Sequence, residues 1–172
     1  MSDRRTHRLL LYLPAGTGRL LPGTDTNPEM PPTVAVLGAG AVGGYVAARR
    51  AMLGADRVNL LLVARGAHLQ AMLSSGLRIK SRKGDAHVQV GDGFAATSLS
   101  APDEQYEAVD WLLITVKRFD TYAALRSAVA SGLIAPHTTI VTLQNGVDAA
   151  QQAGEMLLEL GLGEGTGYTT VV

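Results

Sequence analysis

The chain has 172 residues, 15 Lys and Arg balanced by 15 Asp and Glu, 47% hydrophobic residues and no Cys. A formal net charge of zero leaves no concentrated basic field of the kind that broad nucleic-acid or anionic-membrane binding requires, and the apolar runs fall short of the roughly 20 residues that span a bilayer. Without Cys there is no disulfide, thiolate metal site or Cys nucleophile. His7, His68, His87 and His137 are scattered, so no metal site is expected.

Residues 1–32 read as an arm preceding the fold. Arg4, Arg5, Arg8 and Arg19 surround LLLYL, and Pro22, Pro28, Pro31 and Pro32 discourage regular structure. The arm is read as an untargeted extension of a cytoplasmic protein. The alternative is an organellar transit peptide, against which Asp3 and the lack of a Ser-rich stretch count.

From Thr33 onward, β-branched apolar runs alternate with Ala-rich segments of helical period, which predicts βαβ units around a mostly parallel sheet in a three-layer α/β/α, Rossmann-like doubly wound arrangement. VAVLG at 34–38 is the first strand. Ala41 to Leu53 follows as a helix with Val42, Tyr45, Val46, Arg49 and Leu53 at spacings of three or four, ended by Gly54, and Arg49 and Arg50 are read as solvent-facing. VNLLLVAR at 58–65 is a second strand, apolar enough to be covered on both faces. Ala67 to Ser75 is a helix closed by Gly76. LRIKS and HVQVG around RKGD predict a short hairpin, an insertion or edge ribbon on the sheet. WLLITVK at 111–117 is a strand, Asp120 to Leu133 a helix with Asp120 as its N-terminal cap, TTIVTLQ at 138–144 a strand, and Asp148 to Leu160 a helix. Tyr168 to Val172 suits one further strand.

Gly38-Ala39-Gly40-Ala41-Val42-Gly43 matches G-x-G-x-x-G in the context that gives the pattern meaning, between a strand and a helix. Gly38 permits a tight turn, Gly40 lets the backbone approach a pyrophosphate, and Gly43 allows close helix–strand packing. The unpaired N–H groups and the positive end of the helix dipole then face the phosphates. A ligand-free structural turn is the competing reading. At the end of the second strand no carboxylate occurs from Asn59 to Leu73, and Arg65 stands where an NAD site would place Asp or Glu. Arg65 can form a charge-assisted fork with a 2'-phosphate, which favours NADPH over NADH; otherwise it is an ordinary solvated cation. Lys117 and Asn145 follow the last two long strands, at the carboxyl edge where open α/β sheets bind ligands, or else serve as loop and turn residues. His68 is read as a surface residue of the second helix.

In combination, AVLGAGAVGGYVAARR, LLLVARGAHLQAM with SSGLRI, DWLLITVKRFDT and TTIVTLQNGVD closely resemble the N-terminal, cofactor-binding domain of the ketopantoate reductase (2-dehydropantoate 2-reductase) family over residues 33–172. The resemblance implies NADPH-dependent reduction of 2-dehydropantoate to (R)-pantoate, in pantothenate biosynthesis. It assigns Gly38, Gly40 and Gly43 to the phosphate loop, Arg65 to the adenosine 2'-phosphate, and Lys117 and Asn145 to supporting positions beside nicotinamide and substrate. It also implies a second, helical domain that carries the general-acid lysine and is absent from these residues. The isolated chain is therefore expected to hold NADPH and to turn over poorly. A truncated NADPH-binding module and a reductase of another 2-keto acid are the alternatives. A small 2-keto acid is the expected partner once a second domain completes the cleft, with no nucleic acid or membrane, and oligomerisation stays open.

Overall fold

The computed structural model describes residues 31–53, 57–99 and 106–162. Gly54, most of the arm and the strand expected at Tyr168 to Val172 lie outside the described residues. In chain order the elements are β1 (Thr33–Leu37), α1 (Ala41–Ala51), β2 (Asn59–Val63), α2 (Gly66–Ser75), β3 (Leu77–Ile79), β4 (Ala86–Val88), β5 (Ala95–Thr97), β6 (Trp111–Ile114), α3 (Thr121–Ala130), β7 (Thr139–Thr142) and α4 (Ala149–Glu159).

Five strands form one sheet in the order β5-β2-β1-β6-β7, and each neighbouring pair is parallel. Strand alternation sorts the side chains into two cores. Ala35 and Leu37 of β1, Leu61 and Val63 of β2, and Leu112 and Ile114 of β6 point to the face covered by Leu125 and Ala128 of α3 and Ala153 and Leu157 of α4. Val36, Leu60 and Leu62 point the other way, against Ala47, Ala48 and Ala51 of α1 and Leu69 and Met72 of α2. Every residue of β2 is buried, as expected for a strand covered on both faces. Gly76 ends α2 at φ +73°, in agreement with its expected role.

Four expectations need correction. The buried face of α1 is Gly43, Gly44, Ala47, Ala48 and Ala51, whereas Val42 and Leu53 are 49% and 67% exposed. A helix that starts this close to the sheet admits only small residues on its inner face, so bulk was a misleading guide to burial. Arg49 is not solvent-facing: its Nη2 donates to Ser81 Oγ at 2.8 Å and to the Gly84 carbonyl, and its guanidinium lies over the Tyr45 ring. The β3–β4 hairpin forms as the expected insertion, with Leu77 opposite Val88, and only the edge-ribbon alternative is corrected: the hairpin is a separate two-stranded sheet whose Leu77 and Val88 pack in the α1 core. The edge next to β2 is taken by β5, a strand not expected from its short AAT sequence. Lastly, α3 starts at Thr121 after a single 3-10 turn at Arg118–Asp120. Asp120 occupies the N-cap position, yet its side chain makes no capping hydrogen bond.

Candidate functional site

The turn between β1 and α1 has the geometry its glycines require. Gly38 sits at φ +114°, and a Cβ there would lie 2.8 Å from Val116 Cγ1 and 2.9 Å from the Val116 nitrogen. Its N–H donates to the Val63 carbonyl at 3.0 Å, which ties the turn to the end of β2. Thr115 Oγ1 donates to the carbonyls of Leu37 and Gly38 at 3.1 and 2.7 Å, binding the turn to β6. At Gly43 a Cβ would fall 2.0 Å from the Gly38 oxygen and 2.4 Å from Thr115 Oγ1. The third glycine is thus a packing residue.

Gly40 differs. It is the N-cap of α1, in extended conformation at φ −68°, and a Cβ there would meet nothing within 4 Å. The chain itself does not require glycine at this position, so the space above it is open to a ligand. Intrahelical bonding begins with the Gly44 N–H to the Gly40 carbonyl at 2.7 Å, which leaves the N–H groups of Ala41, Val42 and Gly43 without intrahelical partners. No acidic residue stands in that first turn. An anion at this helix start therefore meets donors and the positive helix end with no opposing charge from α1 itself.

A cavity of about 400 Å³ extends from this turn across the carboxyl ends of β1 and β2. Gly38, Ala39 and Gly40 line one part; Arg65, His68 and Leu99 line another; Asp120 and Ala123 close it from the α3 side. Its volume falls within the range of small-molecule and cofactor sites. Open space at Gly40, free donors at the helix start and a guanidinium across the cavity fit a dinucleotide phosphate ester.

Arg65 is 74% exposed, and its Nη2 donates to Asp120 Oδ1 at 2.8 Å. The carboxylate missing from the second strand is thus supplied from the start of α3, a contact that no local pattern signals. The helical backbone of Asp120, φ −90° and ψ −9°, keeps its side chain from capping its own helix and leaves it for this contact.

Lys117 and Asn145 both follow the carboxyl ends of sheet strands. Ile114 of β6 pairs with Thr142 of β7, and each of the two residues follows three positions later. Both are exposed, and neither lines the cavity. Lys117 Nζ lies 5.8 Å from the centroid of the Phe119 ring. Their loops are held together by contacts absent from the expected site. Gln144 Nε2 donates to the Val116 carbonyl at 2.6 Å and to Thr121 Oγ1 at 2.8 Å. Arg118 forms a two-pronged ion pair with Asp148, both bonds 2.8 Å, and also donates to Gln152. Hydrogen bonding to Arg118, more than bare charge, holds the Asp148 carboxyl below its ordinary pKa, and the same bond raises that of Arg118. The QNG and KRF signals marked these loops without revealing that they are fastened to each other.

Among the described residues no helix is long and apolar enough to cross a membrane. The family model described as "Ketopantoate reductase PanE/ApbA" matches residues 34–163. A 2-dehydropantoate 2-reductase of Mesorhizobium japonicum is 36% identical over 66% of this chain and 32% of the relative. That of Pyrococcus horikoshii is 32% identical over 73% of this chain and 36% of the relative. The crystal structure of 2-dehydropantoate 2-reductase from Porphyromonas gingivalis W83 is similar with a TM-score of 0.56 at 29% identity, over 72% of this chain and 42% of that one. The chain thus covers about a third of the curated relatives it matches.

Proposed function

Because the chain belongs to the ketopantoate reductase family of oxidoreductases, we propose that these residues form the NADPH-binding part of an enzyme that reduces 2-dehydropantoate to (R)-pantoate. The observation that carries this reading is the open floor at Gly40, set in one cavity with Arg65. The N–H groups at the start of α1 would hold the pyrophosphate, and Arg65 the 2'-phosphate. The bound dinucleotide supplies the hydride that reduces the keto carbon. Lys117 and Asn145, in the loops that follow β6 and β7, orient the reacting end of the complex, and the Gln144 and Arg118–Asp148 contacts keep these two loops in register. By the family resemblance, the proton for the new hydroxyl comes from a lysine in a second domain.

The test is a titration of the purified chain with NADPH and with NADH at one ionic strength, repeated on Arg65→Ala. A charge-assisted hydrogen bond contributes about 1.5–3 kcal/mol; for so exposed an arginine the low end applies, so Arg65→Ala is expected to weaken NADPH roughly tenfold and leave NADH nearly unchanged. Equal losses of NADPH and NADH affinity in the variant would refute the 2'-phosphate assignment.

A further inference from the structure

We infer that Asp120 is a specificity-determining residue: paired with Arg65, it restrains the preference for NADPH over NADH and leaves the site able to accept both. This inference rests on the proposed placement of the 2'-phosphate at Arg65.

Asp120 precedes α3 at the end of a 3-10 turn, with φ −90° and ψ −9°, helical angles that do not suit a capping side chain. It makes no capping bond. It turns instead to Arg65, 55 residues earlier, at 2.8 Å, and both side chains line the cavity. The neighbouring cations have other partners, since Arg118 pairs with Asp148 and Lys117 lies against Phe119.

An incoming 2'-phosphate therefore meets a guanidinium that one carboxylate has already partly neutralised, and it must settle beside that negative charge. Like charges at such a site oppose each other, so Asp120 subtracts from what Arg65 contributes. NADH brings no phosphate and leaves the ion pair intact. Its ribose hydroxyls can donate to a carboxylate, which is how an Asp at the end of the second strand serves in NAD sites. Here the same chemistry arrives from α3. With Asp120 27% exposed, solvent moderates these effects without abolishing them.

The experiment is Asp120→Asn, which retains an oxygen acceptor for Arg65 and removes the charge, with Asp120→Ser as a second variant should the first misfold by circular dichroism. Dissociation constants for NADPH and NADH are measured by fluorescence titration, with Arg65→Ala in parallel. Removing the charge is expected to tighten NADPH roughly three- to tenfold, the scale of one partly screened charge interaction, and to leave NADH unchanged or weaker. An unchanged or narrowed NADPH-to-NADH ratio would overturn the role of Asp120. If Arg65→Ala weakens NADPH selectively while the Asp120 variants leave the ratio alone, only this inference falls. If Arg65→Ala affects both nucleotides equally, the 2'-phosphate reading fails and the inference fails with it.

Discussion

Two glycines three residues apart, Gly40 and Gly43, are expected to respond to substitution in opposite ways. At Gly40 a side chain meets nothing of the protein within 4 Å, and φ −68° suits any residue. Gly40→Val gives up only the N-cap preference for glycine, about 1 kcal/mol at most, which for a chain of this size lowers Tm by roughly 2–4 °C. The valine would fill the space assigned to the pyrophosphate, and overpacking of about 1–3 kcal/mol corresponds to roughly 5- to 150-fold weaker NADPH binding. At Gly43 a Cβ would stand 2.0 Å from the Gly38 oxygen and 2.4 Å from Thr115 Oγ1. Neither is the far end of a flexible chain. Gly43→Ala must push the turn off β6 and strain the Thr115 hydrogen bonds, so a cost of about 3 kcal/mol or more is expected, with Tm lowered by roughly 6–12 °C. Calorimetric melting and NADPH titration of both variants separate the effects. A Gly40→Val protein that melts normally and binds normally would refute the phosphate-loop assignment, and a Gly43→Ala protein as stable as the parent would refute the close-packing account.

The Arg118–Asp148 pair makes stability acid-sensitive. The folded protein holds the Asp148 carboxyl below its ordinary value, so the pair's contribution is complete above pH about 4 and is lost as pH falls through the lower folded value. Asp148→Asn should therefore melt below the parent at pH 7, with the two curves converging toward pH 2; a constant gap across that range would contradict the assignment. Catalysis is expected to be slow: with 2-dehydropantoate and saturating NADPH, the 172-residue chain should fall roughly 10²-fold or more below a full-length relative, the scale of general-acid assistance. Spectrophotometric NADPH consumption measures this, and full activity would move the acid into these residues, with Lys117 the first to mutate.

The alternation of apolar β runs with helical segments made most of the parallel sheet and its flanking helices legible in the sequence, because strand and helix periods differ and β1, β2, β6 and β7 are short and rich in β-branched or leucine residues. The glycine turn was legible for the same reason: its spacing matters only between a strand and a helix, and both neighbours are evident. What stayed hidden depended on partners distant in sequence. Ala95–Thr97 becomes a strand only because β2 offers it backbone hydrogen bonds, and its small residues carry no strand signal of their own. The inner face of α1 is made of Gly and Ala, which hydrophobic periodicity underweights against Val and Leu. Arg65 was visible as a candidate, but Asp120 was assigned to its own helix, since nothing local indicates that the fold carries the start of α3 across to the end of β2.

The position of β1 between β2 and β6 has a consequence for the growing polypeptide on the ribosome. Thr33–Leu37 emerges first among the sheet strands and acquires its β2 neighbour early, yet its other flank stays unpaired until Trp111–Ile114 has been made. At about 5–20 residues per second that interval lasts roughly 4–15 s, during which an apolar strand with open hydrogen-bonding groups can recruit the wrong chain. Synthesis stalled before Trp111 is thus expected to release sticky intermediates that chaperones must shield, whereas stalling after Thr142 leaves the middle of the sheet already sealed.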